Sequence, residues 1–197
     1  MKSFNYHSAK DSKEASKLSS SNSAFLAGGM TTIPSMKLGL ASYKDIIDIK
    51  NIKKLSGIKI SGKSVTIGAT TKHVEVANSK DIKKSIPSLA ALAEGIGDPQ
   101  VRNRGTIGGS IANNDPSADY PSACIALDAT IHTNDRKIEA SKFFKGMFET
   151  ALKKGELIEA IEFKIPEKSS YQKHPNPASR YAVVGVYVAK HKSGVRV

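Results

Sequence analysis

Two glycine-rich segments contain the residue types best suited to ligand chemistry in this sequence. Residues 26–34 are LAGGMTTIP, and residues 101–113 are VRNRGTIGGSIAN. Paired glycines permit positive φ angles and let the backbone approach a ligand closely, and consecutive amides in such a conformation form a concave anion site. A single Gly-Gly step is usually only a turn. Two such segments, both rich in small and hydroxyl side chains, predict a site for a ligand with two linked phosphates.

Further polar chemistry follows the second segment, in the stretch NNDPSADYP at residues 113–121. Asp119 could accept hydrogen bonds from sugar hydroxyls, or it could cap a helix that begins near Pro121, and capping is the commoner role for such an aspartate. Arg102 and Arg104 could face phosphate or form surface ion pairs, and the sequence leaves both alternatives open.

Residues 57–64, GIKISGKS, satisfy the phosphate-binding pattern G-x-x-x-x-G-K-[ST]. That chemistry needs a strand before the loop and a helix after it, so that loop amides and the helix N-terminus surround the phosphates. Here Ile-Lys-Ile alternates like a strand, and the following Val65-Thr66-Ile67 is β-branched. We therefore predict a β-hairpin with a Ser-Gly-Lys-Ser turn and reject nucleoside-triphosphate hydrolysis.

Composition excludes several other classes. The single cysteine, Cys124, rules out an intramolecular disulfide and a four-thiolate zinc or iron–sulfur site supplied by this chain alone. The net charge of +12 suggests a polyanion partner, but residues 168–197 hold six basic and no acidic residues, which is half of the excess. Because the aromatic residues do not interleave with Lys and Arg as a base-stacking surface requires, nucleic-acid binding is a minor alternative.

Hydrophobic periodicity predicts mixed helices and strands without regular alternation, which favours an α+β fold. The polar stretch 167–179 is predicted as a linker. The longest apolar run, 181–189, is about half of what a spanning helix needs, and the start of the sequence lacks an apolar signal-peptide region, so a cytoplasmic protein without a transmembrane segment is expected. Strands are predicted at 24–27, 45–49, 57–60, 65–69, 129–133, 136–139, 157–164 and 181–189, and helices at 11–18, 74–78, 87–96 and 121–127.

Taken together, these segments resemble a known family, the FAD-binding medium subunit of the molybdenum hydroxylases of carbon monoxide dehydrogenase and xanthine dehydrogenase type. The stretch RNRGTIGGSIANNDPSAD at 102–119 is the most specific part of the likeness. The resemblance implies a two-subdomain FAD-binding fold of the vanillyl-alcohol-oxidase (PCMH) type. It places a small FAD-binding subdomain at 1–55, a larger one at 56–168, and at 169–197 a linker with the first strands of an incomplete C-terminal α/β domain. Family members continue for about a hundred residues more, so the chain is expected to be C-terminally truncated relative to them. Further support comes from residues 26–37, 67–79, 96–129, 155–166 and 171–189.

The resemblance also implies roles for individual residues. Residues 27–31 would form the first pyrophosphate-binding loop and residues 106–110 the second. Asp119 resembles the family's flavin-site acid, Leu157 falls where backbone lies near the isoalloxazine ring, and Lys173 resembles a lysine near the flavin that would raise its reduction potential. Met30 occupies a place where relatives often have His, Gln or Thr, so only its backbone is expected to contact the cofactor. The implied cofactor-binding residues are Ala27, Gly28, Gly29, Met30, Thr31, Thr106, Ile107, Gly108, Gly109, Ser110, Asp119, Leu157 and Lys173.

By the same resemblance, the chain would relay electrons through FAD from iron–sulfur clusters to a quinone or NAD. The molybdenum cofactor would lie in a large partner subunit and the 2Fe-2S clusters in a small one, in a dimer of heterotrimers. The lone cysteine agrees independently, because one thiol cannot hold the clusters. The alternative is a flavin-free remnant or an assembly module. The sequence names neither the substrate of the complex nor its electron acceptor.

Overall fold

The computed structural model describes all 197 residues. The first part of the chain forms a small parallel sheet. Its strands are β1 (Asn5–Ser8), β2 (Ser23–Leu26) and β3 (Asp45–Asp48), in the order β1-β3-β2. Helices α1 (Ser12–Leu18) and α2 (Thr32–Lys37) connect them. Asp11 caps α1 by accepting the Glu14 N–H at 2.8 Å. This βαβ unit has its own small core, which includes Ala15, Ile47 and Leu157.

A five-stranded antiparallel sheet forms the centre of the molecule. Its strands are β4 (Ile58–Ser61), β5 (Ser64–Gly68), β6 (Thr130–Thr133), β7 (Lys137–Glu139) and β10 (Ile158–Lys164), in the order β4-β5-β10-β6-β7. Ile161 of β10 pairs with Ile67 on one side and Ile131 on the other, and all three are fully buried. Seven helices and a short hairpin accompany this sheet: α3 (His73–Asn78), α4 (Lys80–Ser85), α5 (Pro87–Glu94), α6 (Pro99–Arg104), α7 (Ile107–Asn113), α8 (Tyr120–Ala126), α9 (Ala140–Phe143), β8 (Phe144–Gly146) and β9 (Glu149–Thr150).

The chain ends in a three-stranded antiparallel sheet of β11 (Lys168–Pro175), β12 (Ala182–His191) and β13 (Gly194–Arg196). Tyr187 of β12 is buried and shares a 2.6 Å hydrogen bond with the Ser88 hydroxyl at the start of α5. His191 Nε2 lies 2.8 Å from the carbonyl of Ala126 at the end of α8. These contacts fix the last sheet to the central unit. No helix of the protein combines the length and apolarity that crossing a membrane requires.

The structure confirms most predicted elements and corrects two of them. Residues 57–64 are confirmed as a hairpin, with strands on both sides of the turn at Gly62. The predicted linker at 167–179 is wrong, because Lys168–Pro175 pairs with β12 along its whole length. The second glycine-rich segment is not an extended loop but the junction of α6 and α7. The polar sequence of β11 hid the strand, and the two glycines of α7 hid the helix because glycine has a low helix propensity.

The central strand generates a stability prediction. Replacing Ile161 with Ala leaves a cavity between two neighbouring strands, and we expect the free energy of unfolding to fall by about 2–5 kcal/mol. Urea denaturation followed by circular dichroism measures the change. Ile60→Ala on β4 is the control, since Ile60 is 39% exposed and its loss should cost less than ~1 kcal/mol. Equal losses at the two positions would contradict the assigned core.

Candidate functional site

A cleft of about 510 Å³ lies between the parallel βαβ unit and the central unit. Both glycine-rich segments line this cleft. The residues directly before β10 and the turn between β11 and β12 line it as well. A cleft of this size, bounded by two units and lined by apolar and polar groups, is typical of a small-molecule or cofactor site. The predicted convergence of the two segments on one cleft is therefore what the structure shows. The lining includes Ala27, Gly28, Gly29, Met30, Thr31, Thr106, Gly108, Gly109, Ser110, Asp119 and Leu157.

The first segment offers a run of unused backbone donors. The N–H groups of residues 28–32 donate no hydrogen bond within the chain, whereas the next one, of Ile33, donates to the Gly29 carbonyl at 3.0 Å. Gly29 has φ +76°, a conformation that glycine adopts without strain. Free consecutive amides at the start of α2 form a surface that favours an anion.

Gly28 brings the first segment against the second. A Cβ at this position would lie 2.1 Å from the Arg104 carbonyl oxygen and 3.0 Å from the Gly105 Cα. No other residue type fits between these backbones without moving them. The βαβ unit and the central unit therefore meet at this point, and their contact determines the width of the cleft.

The second segment differs from the prediction of an amide-lined loop. The Ile107 N–H donates to the Thr71 carbonyl at 3.1 Å, and the Gly108 N–H donates to the Ala69 carbonyl at 2.9 Å. Thr106 caps α7 by accepting the Gly109 N–H at 3.2 Å, and its carbonyl accepts the Ser110 N–H. These amides serve the fold, and Ile107 is buried outside the cleft lining. What this wall offers a ligand is the hydroxyls of Thr106 and Ser110 and the open surface of Gly109.

The two arginines of the second segment have different surroundings. Arg102 Nη1 donates to the carbonyls of Ile96 and Gly97, at 3.0 and 2.9 Å, so it ties the end of the α5 turn to α6. It neither forms a surface ion pair nor lines the cleft. Arg104 is exposed and also lies outside the lining. Neither of the roles considered from sequence fits Arg102.

Asp119 lies on the cleft wall and does not cap α8. Its carboxylate receives a 2.9 Å ion pair from Lys173 Nζ and a short hydrogen bond from the Tyr171 hydroxyl. Both partners come from β11, two residues apart and hence on one face of the strand. Lys173 also donates to the Gly95 carbonyl at 3.0 Å and does not itself line the cleft. Its effect on a ligand would therefore pass through Asp119.

The segment before β10 is held by an ion pair between the buried Glu156 and the partly exposed Arg136. Arg136 binds Glu156 with two nitrogens, at 2.9 and 3.0 Å, and the Thr133 hydroxyl adds a third hydrogen bond at 2.8 Å. Burial alone would raise the pKa of the Glu156 carboxyl, but the hydrogen bonds from Arg136, the Lys153 amide and Thr133 outweigh it and lower the pKa to about 2. The adjacent Leu157 is fixed in turn, since its N–H donates to Asn134 Oδ1 at 2.8 Å.

Sequence reasoning missed His73, which lines the cleft from α3. It is 4% exposed, and its Nδ1 and the hydroxyl of nearby Tyr120 are the two buried side-chain atoms without a hydrogen-bond partner. Burial and the positive charge of Arg102 lower the pKa of His73 to about 4, so its ring is neutral at pH 7. A histidine on a short helix gives no sequence signal, because only the tertiary fold brings it to the cleft.

A βαβ unit joined to a larger α+β unit across a ligand cleft is the arrangement of a cofactor-binding domain. Comparison with known families shows to which family of such domains the chain belongs. The family model described as FAD binding domain in molybdopterin dehydrogenase matches residues 2–167. The chain belongs to this family of oxidoreductase flavin domains. The match confirms the resemblance found in the sequence, the fold class and FAD as the cofactor.

Named relatives give the same picture. The chain is 38% identical to the glyceraldehyde dehydrogenase medium chain of Sulfolobus acidocaldarius, over 94% of its own length and 69% of the relative's. It is 36% identical to the carbon monoxide dehydrogenase medium chain of Hydrogenophaga pseudoflava, over 97% of this chain and 70% of that one. The solved structure of the Hydrogenophaga pseudoflava enzyme matches with a TM-score of 0.92 over 98% of this chain and 71% of that chain. Quinoline 2-oxidoreductase from Pseudomonas putida 86 matches with a TM-score of 0.91 at 26% identity, over 96% of this chain and 70% of that one.

The Glu156 ion pair predicts a specific pH dependence of stability. The pKa of Glu156 in the folded protein lies below the ordinary value of 4.5. The ion pair therefore contributes fully to the free energy of unfolding above pH ~4.5, and this contribution is lost as the pH falls toward about 2. We expect Glu156→Gln to lower the free energy of unfolding at pH 7, and the gap to wild type to narrow below pH ~4.5. Urea titrations between pH 7 and pH 3 measure it, with the exposed Glu94→Gln as control. A gap independent of pH would contradict the assignment.

Proposed function

We propose that this chain is the FAD-carrying subunit of a molybdenum-dependent dehydrogenase and that the backbone amides of residues 28–32 bind the FAD diphosphate. The observation that supports this most strongly is the run of unused backbone amides in a cleft shared with the hydroxyls of Thr106 and Ser110. Amides supply hydrogen bonds and partial positive charge to phosphate oxygens without a lysine or arginine. Met30 fits this role, since a backbone amide is available whatever its side chain.

The other residues named from the resemblance would hold the rest of the cofactor. Asp119 presents a carboxylate, fixed by Lys173 and Tyr171, that can accept hydrogen bonds from ribityl or ribose hydroxyls. Leu157 offers apolar surface, because its N–H already donates to Asn134. Gly109 leaves the second wall open to the ligand, whereas Gly108 lets α7 pack against Ala69, whose Cβ would lie 2.5 Å from an added side chain. Ile107 shapes this wall from within the core rather than by contact.

When bound, FAD supplies the two-electron redox chemistry of its isoalloxazine ring. This chain then needs no general acid or base for an electron relay, and its residues bind, orient and partly desolvate the cofactor. Cys124 is fully buried, and burial raises the pKa of its thiol, so it is unsuited to ligating a cluster. We propose that the iron–sulfur clusters that deliver electrons, and the molybdenum cofactor, lie on a small and a large partner subunit.

The relatives are named as medium chains, which supports membership in a multi-subunit enzyme. The external acceptor, a quinone or NAD, the assembly as a dimer of heterotrimers and the cytoplasmic location stay predictions. The substrate belongs to the partner that would bind molybdenum, and relatives named for carbon monoxide and for glyceraldehyde match this chain about equally well.

Gly109 offers a test of the cofactor site with little effect on the fold. A Cβ there would meet only the Thr106 Oγ1 at 2.9 Å, so Gly109→Val should fold while its side chain fills the cleft. We expect FAD to bind at least about tenfold more weakly, equivalent to about 1.4 kcal/mol, in a fluorescence titration. Ala91→Val on the exposed side of α5 is the control. Unchanged FAD affinity, or a wild-type protein that binds no flavin, would overturn the proposal.

The Asp119–Lys173 pair predicts a change in flavin potential. Lys173→Met leaves the carboxylate uncompensated on the cleft wall, which disfavours negative charge on the reduced ring. We expect the flavin reduction potential to fall by ~30 mV or more, and the double variant with Asp119→Asn to return toward the wild-type value. Spectroelectrochemical titration of the three proteins measures this. A potential unaltered in Lys173→Met would show that the pair lies too far from the ring.

A further inference from the structure

His73 is a buried cleft residue whose side chain forms no hydrogen bond within the chain. Its Nδ1 is enclosed and unpartnered, and Nε2 has no partner in the chain either. The hydroxyl of Tyr120 is also unpartnered, although the two ring centroids lie 5.5 Å apart, so the two side chains do not satisfy each other. Buried polar groups are nearly always hydrogen-bonded, and an unmet one costs stability. Folding alone therefore does not explain a histidine at this position.

The ring lies against the backbone at which the two units meet. A Cβ on Gly105 would lie 2.6 Å from Nε2 and 2.8 Å from Cδ2 of His73, so this edge of the ring packs directly on Gly105. A Cβ on Gly28 would lie 3.0 Å from the Cα of the same Gly105. The Nε2 edge of His73 is thus next to the point where the first glycine-rich segment, with its unused amides, reaches the second.

These surroundings determine which ring nitrogen of His73 carries the proton. Burial and the positive charge of Arg102 lower the pKa of His73 to about 4, so at pH 7 the ring is neutral and has a single N–H. An enclosed N–H without an acceptor is rarer in folded proteins than an enclosed acceptor without a donor. We therefore assign the lone pair to the enclosed Nδ1 and the proton to Nε2. An Nε2–H at the cleft wall selects a ligand with an acceptor atom.

The chain itself offers no acceptor to this N–H. Four charged side chains line the cleft, and none of them forms a hydrogen bond with His73: Asp115, Asp119, Glu156 and Arg180. FAD, in contrast, carries acceptor oxygens on its phosphates, its ribityl chain and its ribose. The missing partner is therefore of a kind that the cofactor supplies.

We propose that His73 is a further cofactor-binding residue and that its Nε2–H donates a hydrogen bond to an acceptor oxygen of FAD beside Gly105. The inference rests on the proposed function, because the acceptor belongs to the cofactor of that function. It adds a buried side-chain donor to a site that otherwise uses backbone amides, hydroxyls and a carboxylate. Because the ring has no partner until FAD binds, His73 raises cofactor affinity while it lowers the stability of the flavin-free chain.

Three substitutions in the full chain test this role. His73→Leu keeps apolar volume and removes both nitrogens, His73→Gln retains an amide N–H near the place of Nε2, and His73→Asn retains one only near the place of Nδ1. We expect the dissociation constant for FAD, measured by fluorescence titration, to rise about tenfold or more in His73→Leu and His73→Asn. His73→Gln should stay within about threefold of wild type. The melting temperature of flavin-free His73→Leu should equal or exceed that of wild type.

His132→Leu is the matched control, because His132 is half-buried, pairs with Glu162 at 2.9 Å on the central sheet and does not line the cleft. It should leave the FAD affinity unchanged. An affinity of His73→Leu within about twofold of wild type, or equal losses in His73→Gln and His73→Leu, would overturn the inference.

The stability measurement separates binding from packing. A melting temperature of flavin-free His73→Leu well below that of wild type would also overturn the inference, because the ring would then serve the fold. A wild-type chain that binds FAD as tightly as its three His73 variants do overturns this inference alone. A wild-type chain that binds no flavin overturns the proposed function as well.

Discussion

The close approach of Gly28 to the Arg104 carbonyl is the constraint on which the site depends. There is no space for a side chain between the backbone of Gly28 and that of Arg104. The parallel unit and the central unit therefore meet at a fixed distance. The unused amides of 28–32 then face the same cleft as the start of α7. The shape of the cleft follows from this one contact between segments that are far apart in the chain.

The two walls of the cleft contribute in different ways. The first provides backbone donors that the fold does not use, and the second uses its own donors to attach α7 to the central sheet through Thr71 and Ala69. The second wall therefore presents two hydroxyls to the cleft, and the first wall presents unused backbone donors. Behind them, β11 supplies Tyr171 and Lys173 to fix Asp119. The last sheet is thus part of the site, although the matched family domain ends at residue 167.

The sequence predicts the family, the fold class and the meeting of both glycine-rich segments, because Gly-Gly steps and hydroxyl residues have local meaning. It also identifies residues 57–64 as a hairpin from strand alternation. It does not predict that the amides after Thr106 are already bonded, that Lys173 lies behind Asp119, or that His73 reaches the cleft. Each of these depends on partners distant in sequence, and no local pattern records them. The strand Lys168–Pro175 was hidden for a similar reason, since its polar residues are stabilised by pairing with β12.

Dissociation constants of FAD, FMN and riboflavin for the purified full chain test the central claim most directly. Riboflavin has no phosphate, FMN has one, and FAD has a diphosphate that also carries adenosine, so the series measures what the phosphates and the adenosine add to binding of the shared flavin ring. The account predicts that FAD binds about a hundredfold or more tightly than riboflavin, equivalent to about 2.7 kcal/mol, with FMN weaker than FAD. Equal affinities for FAD and riboflavin would contradict it, because the diphosphate would then make no contact with the amides assigned to it.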